Sequence, residues 1–296
     1  MRFRTLKQLA ALCEQEGLSI GKLMVEEQAK ESGRTPEQEF SKMKSYYEVM
    51  KEAVRKGLTE DTTSRSGLTG RDAQRVMSFM NDHEASAGKE AGLAMAYALA
   101  VSEVNASMGR IIATPTAGSC GIIPGVFVSS QERFGWSDDH MVEGLFCAGA
   151  IGYIIANNSF VSGAEGGCQA EVGSAIGMAA GAMTELRGGS PSQAVHAVGL
   201  ALKNTLGLIC DPVGGLVEIP CIVRNGFGAV NALAAADMAL AGVRSVIPSD
   251  EVVSVMYEVG SAMPEKHRET AKGGLAQTPT GKQIMSELNL RRRKKP

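Results

Sequence analysis

The feature that most limits how this chain can fold is a series of small-residue apolar runs at 141–156, 170–186, 192–208, 229–241 and 250–261. Each is long enough for three or more helical turns, and none shows the period-two alternation of a half-buried strand. Their alanine content favours helix. Being apolar most of the way round, they must be buried among other helices. Glycine is abundant, at 35 residues, and aromatics make up only 5% of the chain. The predicted fold is therefore all-α, with closely packed Ala/Gly-rich helices joined by glycine-rich loops. Val217–Val223 has some strand character, but Pro220 argues against a central strand.

The first 57 residues read as three further helices, of a different kind. Leu6, Leu9, Leu12 and Cys13 recur at helical spacing and stop at Gly17. Ser19 is placed to cap a second helix with Ile20, Leu23 and Met24 inside. Thr35-Pro36-Glu37-Gln38 is a start signal with the elements of a capping box. The helix it opens carries Phe40, Met43, Tyr47, Met50 and Val54 and ends at Gly57. We divide the chain into an N-terminal helical subdomain, 1–58, and a helical catalytic domain, 59–296, which can form one continuous unit. Residues 59–82 are polar, contain Gly67 and Gly70, and read as a connection.

A net charge of -2 gives no general attraction for nucleic acid. The basic end Arg291–Lys295 reads as a solvated tail. Met1-Arg-Phe-Arg-Thr-Leu-Lys7 lacks the apolar core of a secretory signal, and the most apolar stretch, Gly144–Ala156, is too short to span a membrane. The expectation is a cytoplasmic protein whose six cysteines stay reduced.

Three of those cysteines stand in stretches unsuited to helix: Gly163-Ala-Glu-Gly-Gly-Cys168, Cys210-Asp-Pro-Val-Gly-Gly215 and Glu218-Ile-Pro-Cys221. Thiolates presented on turns hold zinc or iron–sulfur clusters, and three ligands leave a four-coordinate metal one open position. No Cys-x-x-Cys spacing is present. Physics alone leaves two readings open, a metal or cluster site and buried structural cysteines. Glu165, Glu171, Asp211 and Glu218 lie close by in sequence, with surface or capping roles as the bland alternative to supporting the ligands. Cys13 and Cys147 lie in apolar runs and read as core.

A second unusual stretch runs from Ile111 to Gly125. Thr114, Thr116 and Ser119 supply hydroxyls, and Gly118 and Gly121 allow backbone N–H groups to converge, an arrangement suited to a substrate carboxylate. It lacks the lysine and spacing of a phosphate-binding loop. Cys120 is a weaker candidate ligand or reactive thiol. His83 is read as a polar loop histidine or a catalytic base. Lys89 and Lys203 have no phosphate loop beside them to hold pyridoxal phosphate.

Four stretches together resemble the bacterial iron–sulfur L-serine dehydratases: Thr114–Pro124, Gly167–Gly173, Cys210–Asn225 and Glu269–Ala276. The resemblance covers nearly the whole chain. It implies an all-helical catalytic domain, with Cys168, Cys210 and Cys221 holding a [4Fe–4S] cluster. It further implies a lyase that deaminates L-serine to pyruvate and ammonia, in serine degradation or gluconeogenic supply. Single-chain members begin with a β domain containing Ser-Ser-His-Thr, a motif missing here. The chain is thus expected to be an α subunit whose β subunit is a separate polypeptide. On this reading Thr114, Thr116, Gly118 and Ser119 bind substrate, and His83 and Lys272 are the weak candidates for the base. The competing readings are a related cluster-dependent lyase acting on L-cysteine or a hydroxyacid, and a metal-binding scaffold without activity of its own.

Overall fold

The computed structural model describes residues 1–293, with side chains through residue 290; the basic end Arg291–Lys295 lies outside the described side chains. Thirteen α-helices and no strand occur among the described residues. The first four are α1 (Leu6–Glu16), α2 (Ile20–Ser32), α3 (Pro36–Thr59) and α4 (Asp72–Asp82). Then come α5 (Lys89–Ala106), α6 (Ile122–Phe134), α7 (Asp138–Asn158), the single turn α8 (Gly163–Gly166) and α9 (Cys168–Leu186). The chain closes with α10 (Pro191–Lys203), α11 (Cys221–Leu240), α12 (Ser249–Ala262) and α13 (Pro279–Arg293). None of these helices is long and apolar enough to cross a membrane.

The all-α expectation holds, and several boundaries follow their sequence signals. Gly17 closes α1 in a left-handed conformation, Ser19 caps α2, and Thr35 and Gln38 form both halves of the capping box on α3. The capping threonine satisfies a donor that the first turn leaves without a helical partner.

At the centre stands α9, in which every residue except Glu185 is buried. It packs against α6, α7, α10 and α11. Such a helix cannot be amphipathic, which is why its sequence is apolar all round. A single buried cluster extends from Phe3 on the N-terminal segment to Met256 on α12. Tyr47 of α3 is fully buried and donates to Gln131 at 2.7 Å.

Backbones approach closely where glycine removes a side chain. A Cβ at Gly125 would lie 2.7 Å from Ala98 N and 2.8 Å from Ala94 O, so α5 and α6 meet backbone to backbone. These contacts explain why large side chains are scarce in the core. Interiors pack to crystal-like density, and small faces reach it only by bringing helix axes together.

The expected connection over 59–82 instead contains α4. Its N-cap, Arg71, is left-handed and offers no side-chain cap. The carboxylate of the fully buried Glu103, on α5, accepts the Asp72 N–H at 2.5 Å instead. Glu185 does the same for α2, accepting from Ile20 at 2.5 Å and Gly21 at 2.9 Å. Asp250 of α12 accepts from Leu6 at 2.7 Å and Lys7 at 3.0 Å at the start of α1. Acidic groups suit the positive end of a helix dipole. These three come from distant helices, so no local pattern announces them, although Thr5 and Ser19 also cap α1 and α2 locally.

Replacing Gly125 by Ala should cost about 1–3 kcal/mol in urea denaturation, because the added methyl meets backbone that cannot move aside. Gly149 of α7 has nothing within 4 Å of its missing Cβ. There Gly149→Ala should raise stability by about 0.5–1 kcal/mol. Equal effects at the two sites would contradict the close-approach account.

Candidate metal centre

Two of the three loop cysteines are the first residues of long helices: Cys168 opens α9 and Cys221 opens α11. Their sequence surroundings look unhelical because the glycine and proline belong to the residues just before. Gly167 adopts φ 75 and ψ -178, a region that glycine alone occupies without strain, and a side chain there would meet Met263 Sδ at 2.6 Å. Cys210 lies in an extended link between α10 and α11. Its N–H donates to His267 O at 2.8 Å, and its carbonyl accepts from Glu269 N–H at 2.9 Å.

This arrangement brings Cys168, Cys210 and Glu171 together. One ligand atom from each, two thiol sulfurs and a carboxylate oxygen, lies within 4.8 Å of the others, and all three residues are buried. Glu171 stands one turn after Cys168 on α9, so both project from one face. A soft-ligand set of this kind suits a transition metal. Cys221 is also buried but lies outside this tight trio, within electrostatic reach of it.

The charges fit a cation. A hydrogen bond from Cys210 holds the Cys168 thiol below its ordinary range, and the Arg224 guanidinium assists. Cys210 is pushed up, first because it donates that hydrogen bond and then by burial. Burial likewise raises Cys221 and Glu171, the latter although Thr116 and Gly118 donate to it. Two thiols and a carboxyl this close in a buried space disfavour carrying their charges together, a balance that a bound cation would change. The donor set therefore fits a metal.

Two adjacent residues on the first turns of α11 hold these pieces in place. Arg224 donates to Cys168 Sγ at 3.2 Å, to Ile209 O at 2.9 Å and to Asp211 Oδ1 at 3.0 Å. Asn225 accepts the Gly121 N–H at 2.9 Å and donates to Gly118 O at 2.7 Å and Cys221 O at 2.9 Å. The second carboxylate oxygen of Asp211 accepts from Leu275 N–H at 2.8 Å, tying in the 267–276 loop.

The 114–121 loop lies against the trio. Thr116 donates to Glu171 Oε1, so the group that Thr116 and Gly118 hold in this structure is a carboxyl of the protein itself. Ser119 donates to Thr114 O at 3.1 Å. Thr114 Oγ1 is buried and has no partner among the described residues. Cys120 is fully buried, and burial pushes its thiol up to about 12. Cys13 and Cys147 are core residues.

The remaining candidates lie in other settings. His83 is exposed at the end of α4 and stacks on Phe79, with ring centroids 4.8 Å apart. Lys272 pairs with Glu265 at 2.6 Å on the surface. Glu218 accepts from Ser66 at 2.7 Å and Thr69 at 3.1 Å, and Glu165 is exposed.

Arg224, Asn225, Gly163 and Glu269 have no assigned role in the sequence reading. A Cβ at Gly163 would lie 2.9 Å from Cys210 Sγ, 3.3 Å from Glu171 Oε2 and 3.4 Å from Glu269 Oε2. Glu269 itself has a left-handed backbone, φ 62, unusual for a residue with a side chain. The sequence signal for all four was their presence in or beside the four distinctive stretches; their spacing alone gives none.

The family model described as serine dehydratase alpha chain matches residues 15–276. The chain is 47% identical to the probable L-serine dehydratase alpha chain of Bacillus subtilis, over 97% of this chain and 95% of that protein. It is 42% identical to the L-serine dehydratase alpha chain of Peptoniphilus asaccharolyticus, over 96% and 97%. Against the L-serine dehydratase of Streptomyces coelicolor, identity is 42% over 93% of this chain but 60% of that longer protein.

Removing the guanidinium by Arg224→Gln leaves Asp211, only 2% exposed, without its cation. Breaking a buried pair in this way should cost about 3–5 kcal/mol in chemical denaturation. In metal-free protein, the first thiolate absorbance should also appear at higher pH than in the parent. An unchanged thiolate titration would contradict the role of Arg224 at Cys168.

Proposed function

The chain belongs to the serine dehydratase alpha-chain family, and we propose that it deaminates L-serine to pyruvate and ammonia as the α subunit of a two-chain L-serine dehydratase. Support comes from the near-complete coverage of relatives named as alpha chains, while longer relatives carry extra sequence beyond this region. We further propose a [4Fe–4S] cluster as the resident cofactor, with Cys168, Cys210 and Cys221 as its ligands and a separate β chain as partner. The observation that carries the reading is the convergence of two buried thiols from distant segments, Cys168 and Cys210, beside the buried carboxyl of Glu171, with the buried Cys221 within electrostatic reach.

When bound, the cluster supplies a Lewis acid for the hydroxyl that must leave Cβ of serine. The protein's own groups do the rest. Arg224 steadies the Cys168 sulfur, the Ile209 carbonyl and the Asp211 carboxylate. Asn225 fixes the 114–121 loop, whose Thr114 hydroxyl is buried without a partner and is available to substrate. In this reading the loop residues Thr114, Thr116, Gly118 and Ser119 orient the substrate. Burial raises the Glu171 carboxyl above its ordinary range. Water of the bulk is kept away because the trio itself is buried.

The overall balance is simple. The Cα–H bond breaks, its electron pair forms the Cα=Cβ bond, and the Cβ–O pair leaves with oxygen. One proton is lost from Cα and one is taken up as the hydroxyl leaves as water. The enamine product tautomerises to an imine, which water hydrolyses to pyruvate and ammonia.

Protein prepared without oxygen, together with its β chain, should be brown, contain iron and sulfide, and release pyruvate from L-serine. Exposure to air should abolish that activity. Colourless, zinc-containing protein would contradict the cofactor, and pyruvate released faster from L-cysteine would contradict the substrate. Separately, Cys210→Ala should remove most of the visible absorbance; full absorbance with full activity would rule out Cys210 as a ligand.

A further inference from the structure

We propose that Glu269 is the residue that selects an amino acid over a hydroxy acid, by receiving the α-ammonium group of the substrate. This inference rests on the serine dehydratase reading of the site and deepens it. The carboxylate oxygen Glu269 Oε2 lies near Gly163, where an added Cβ would be 3.4 Å from it, 2.9 Å from Cys210 Sγ and 3.3 Å from Glu171 Oε2. Glu269 thus borders the same small space as two members of the metal-ligating trio.

Its electrostatic situation is unusual. Asp211 is paired with Arg224 at 3.0 Å, and Glu171 is held by Thr116 and Gly118. Glu269 is half-buried, and among the described residues no donor or cation pairs with its carboxylate. The group is partly open to water and carries no protein cation of its own, so a cation brought by a ligand meets no competitor there.

The backbone points the same way. Glu269 is left-handed at φ 62 and its N–H donates to Cys210 O at 2.9 Å, with Ala271 also left-handed at φ 55. Residues with side chains adopt this conformation at a cost, and such strain clusters at ligand sites. Here it anchors Glu269 directly to a candidate ligand's backbone.

L-serine brings one cation to the site, its α-ammonium. A hydroxy acid of the same size brings a neutral hydroxyl. A site with a carboxylate that no protein cation pairs with therefore favours the amino acid.

The test uses the assembled, anaerobically prepared enzyme and a pair of ligands that do not turn over. L-alanine and L-lactate lack the leaving hydroxyl and differ only in the α-ammonium. Dissociation constants are measured by calorimetry for the parent and for Glu269→Gln. The variant should bind L-alanine about 10–100-fold more weakly, the range for a lost charged hydrogen bond, and L-lactate within about 3-fold of the parent. Its KM for L-serine should rise in step with the L-alanine constant. Equal weakening of both ligands, or of neither, overturns the proposal.

A second variant guards against misfolding. Glu269→Asp keeps the charge and should keep the preference for L-alanine, with kcat reduced by the altered reach; loss of the preference overturns the proposal as well. Failure of the underlying reading looks different. If the parent enzyme itself releases no pyruvate from L-serine, the substrate assignment falls, whereas an active parent with an indifferent Glu269→Gln removes only the role of Glu269.

Discussion

Two neighbouring side chains, Arg224 and Asn225, join segments that are otherwise far apart in the chain. Arg224 reaches the start of α9 and the 209–211 link, while Asn225 grips both ends of the 118–121 turn and the carbonyl of Cys221. Both are on the first turns of α11, so the position of that helix sets the position of every loop at the site. Arg suits the task because its planar fork serves a sulfur, a carbonyl and a carboxylate at once. Asn suits its own because one side chain both accepts and donates. Remove this pair of hubs and the buried thiols lose their common frame.

The scaffold around them is built to be rigid. The almost wholly buried α9 and the glycine contacts between α5 and α6 leave little room for side-chain adjustment. Tight, small-residue packing transmits position well, because interiors at this density resist deformation. Ligand groups presented from helix starts inherit that rigidity. The 267–276 segment, with positive φ at Glu269, Ala271 and Gly274, is tied to the frame by Cys210 and Asp211.

Electrostatics then explain why the centre calls for a cation. Two thiols and a carboxyl share a space, with a third buried thiol within electrostatic reach, and burial disfavours their charged forms. Arg224 offsets part of this, but it is already committed to Asp211. A bound metal would take the place of several protons. Glu269 borders this space, and among the described residues no cation pairs with its side chain.

The sequence by itself determined the all-α class, the run of buried helices, the N-terminal caps and the four distinctive stretches that mark the family. Those properties are local: periodicity, propensity and capping chemistry act within a few residues, so they can be read directly. Helix α4 was missed because its N-terminus is satisfied by Glu103 from another helix. The starts of α9 and α11 were misread as turns because glycine and proline precede them. Only tertiary structure decided that Glu171 joins Cys168 and Cys210, that the 114–121 loop holds Glu171, and that Glu269 faces Gly163. Each of these depends on contacts between segments separated by tens of residues, and the packing of helices, not any spacing along the chain, fixes which side chains meet.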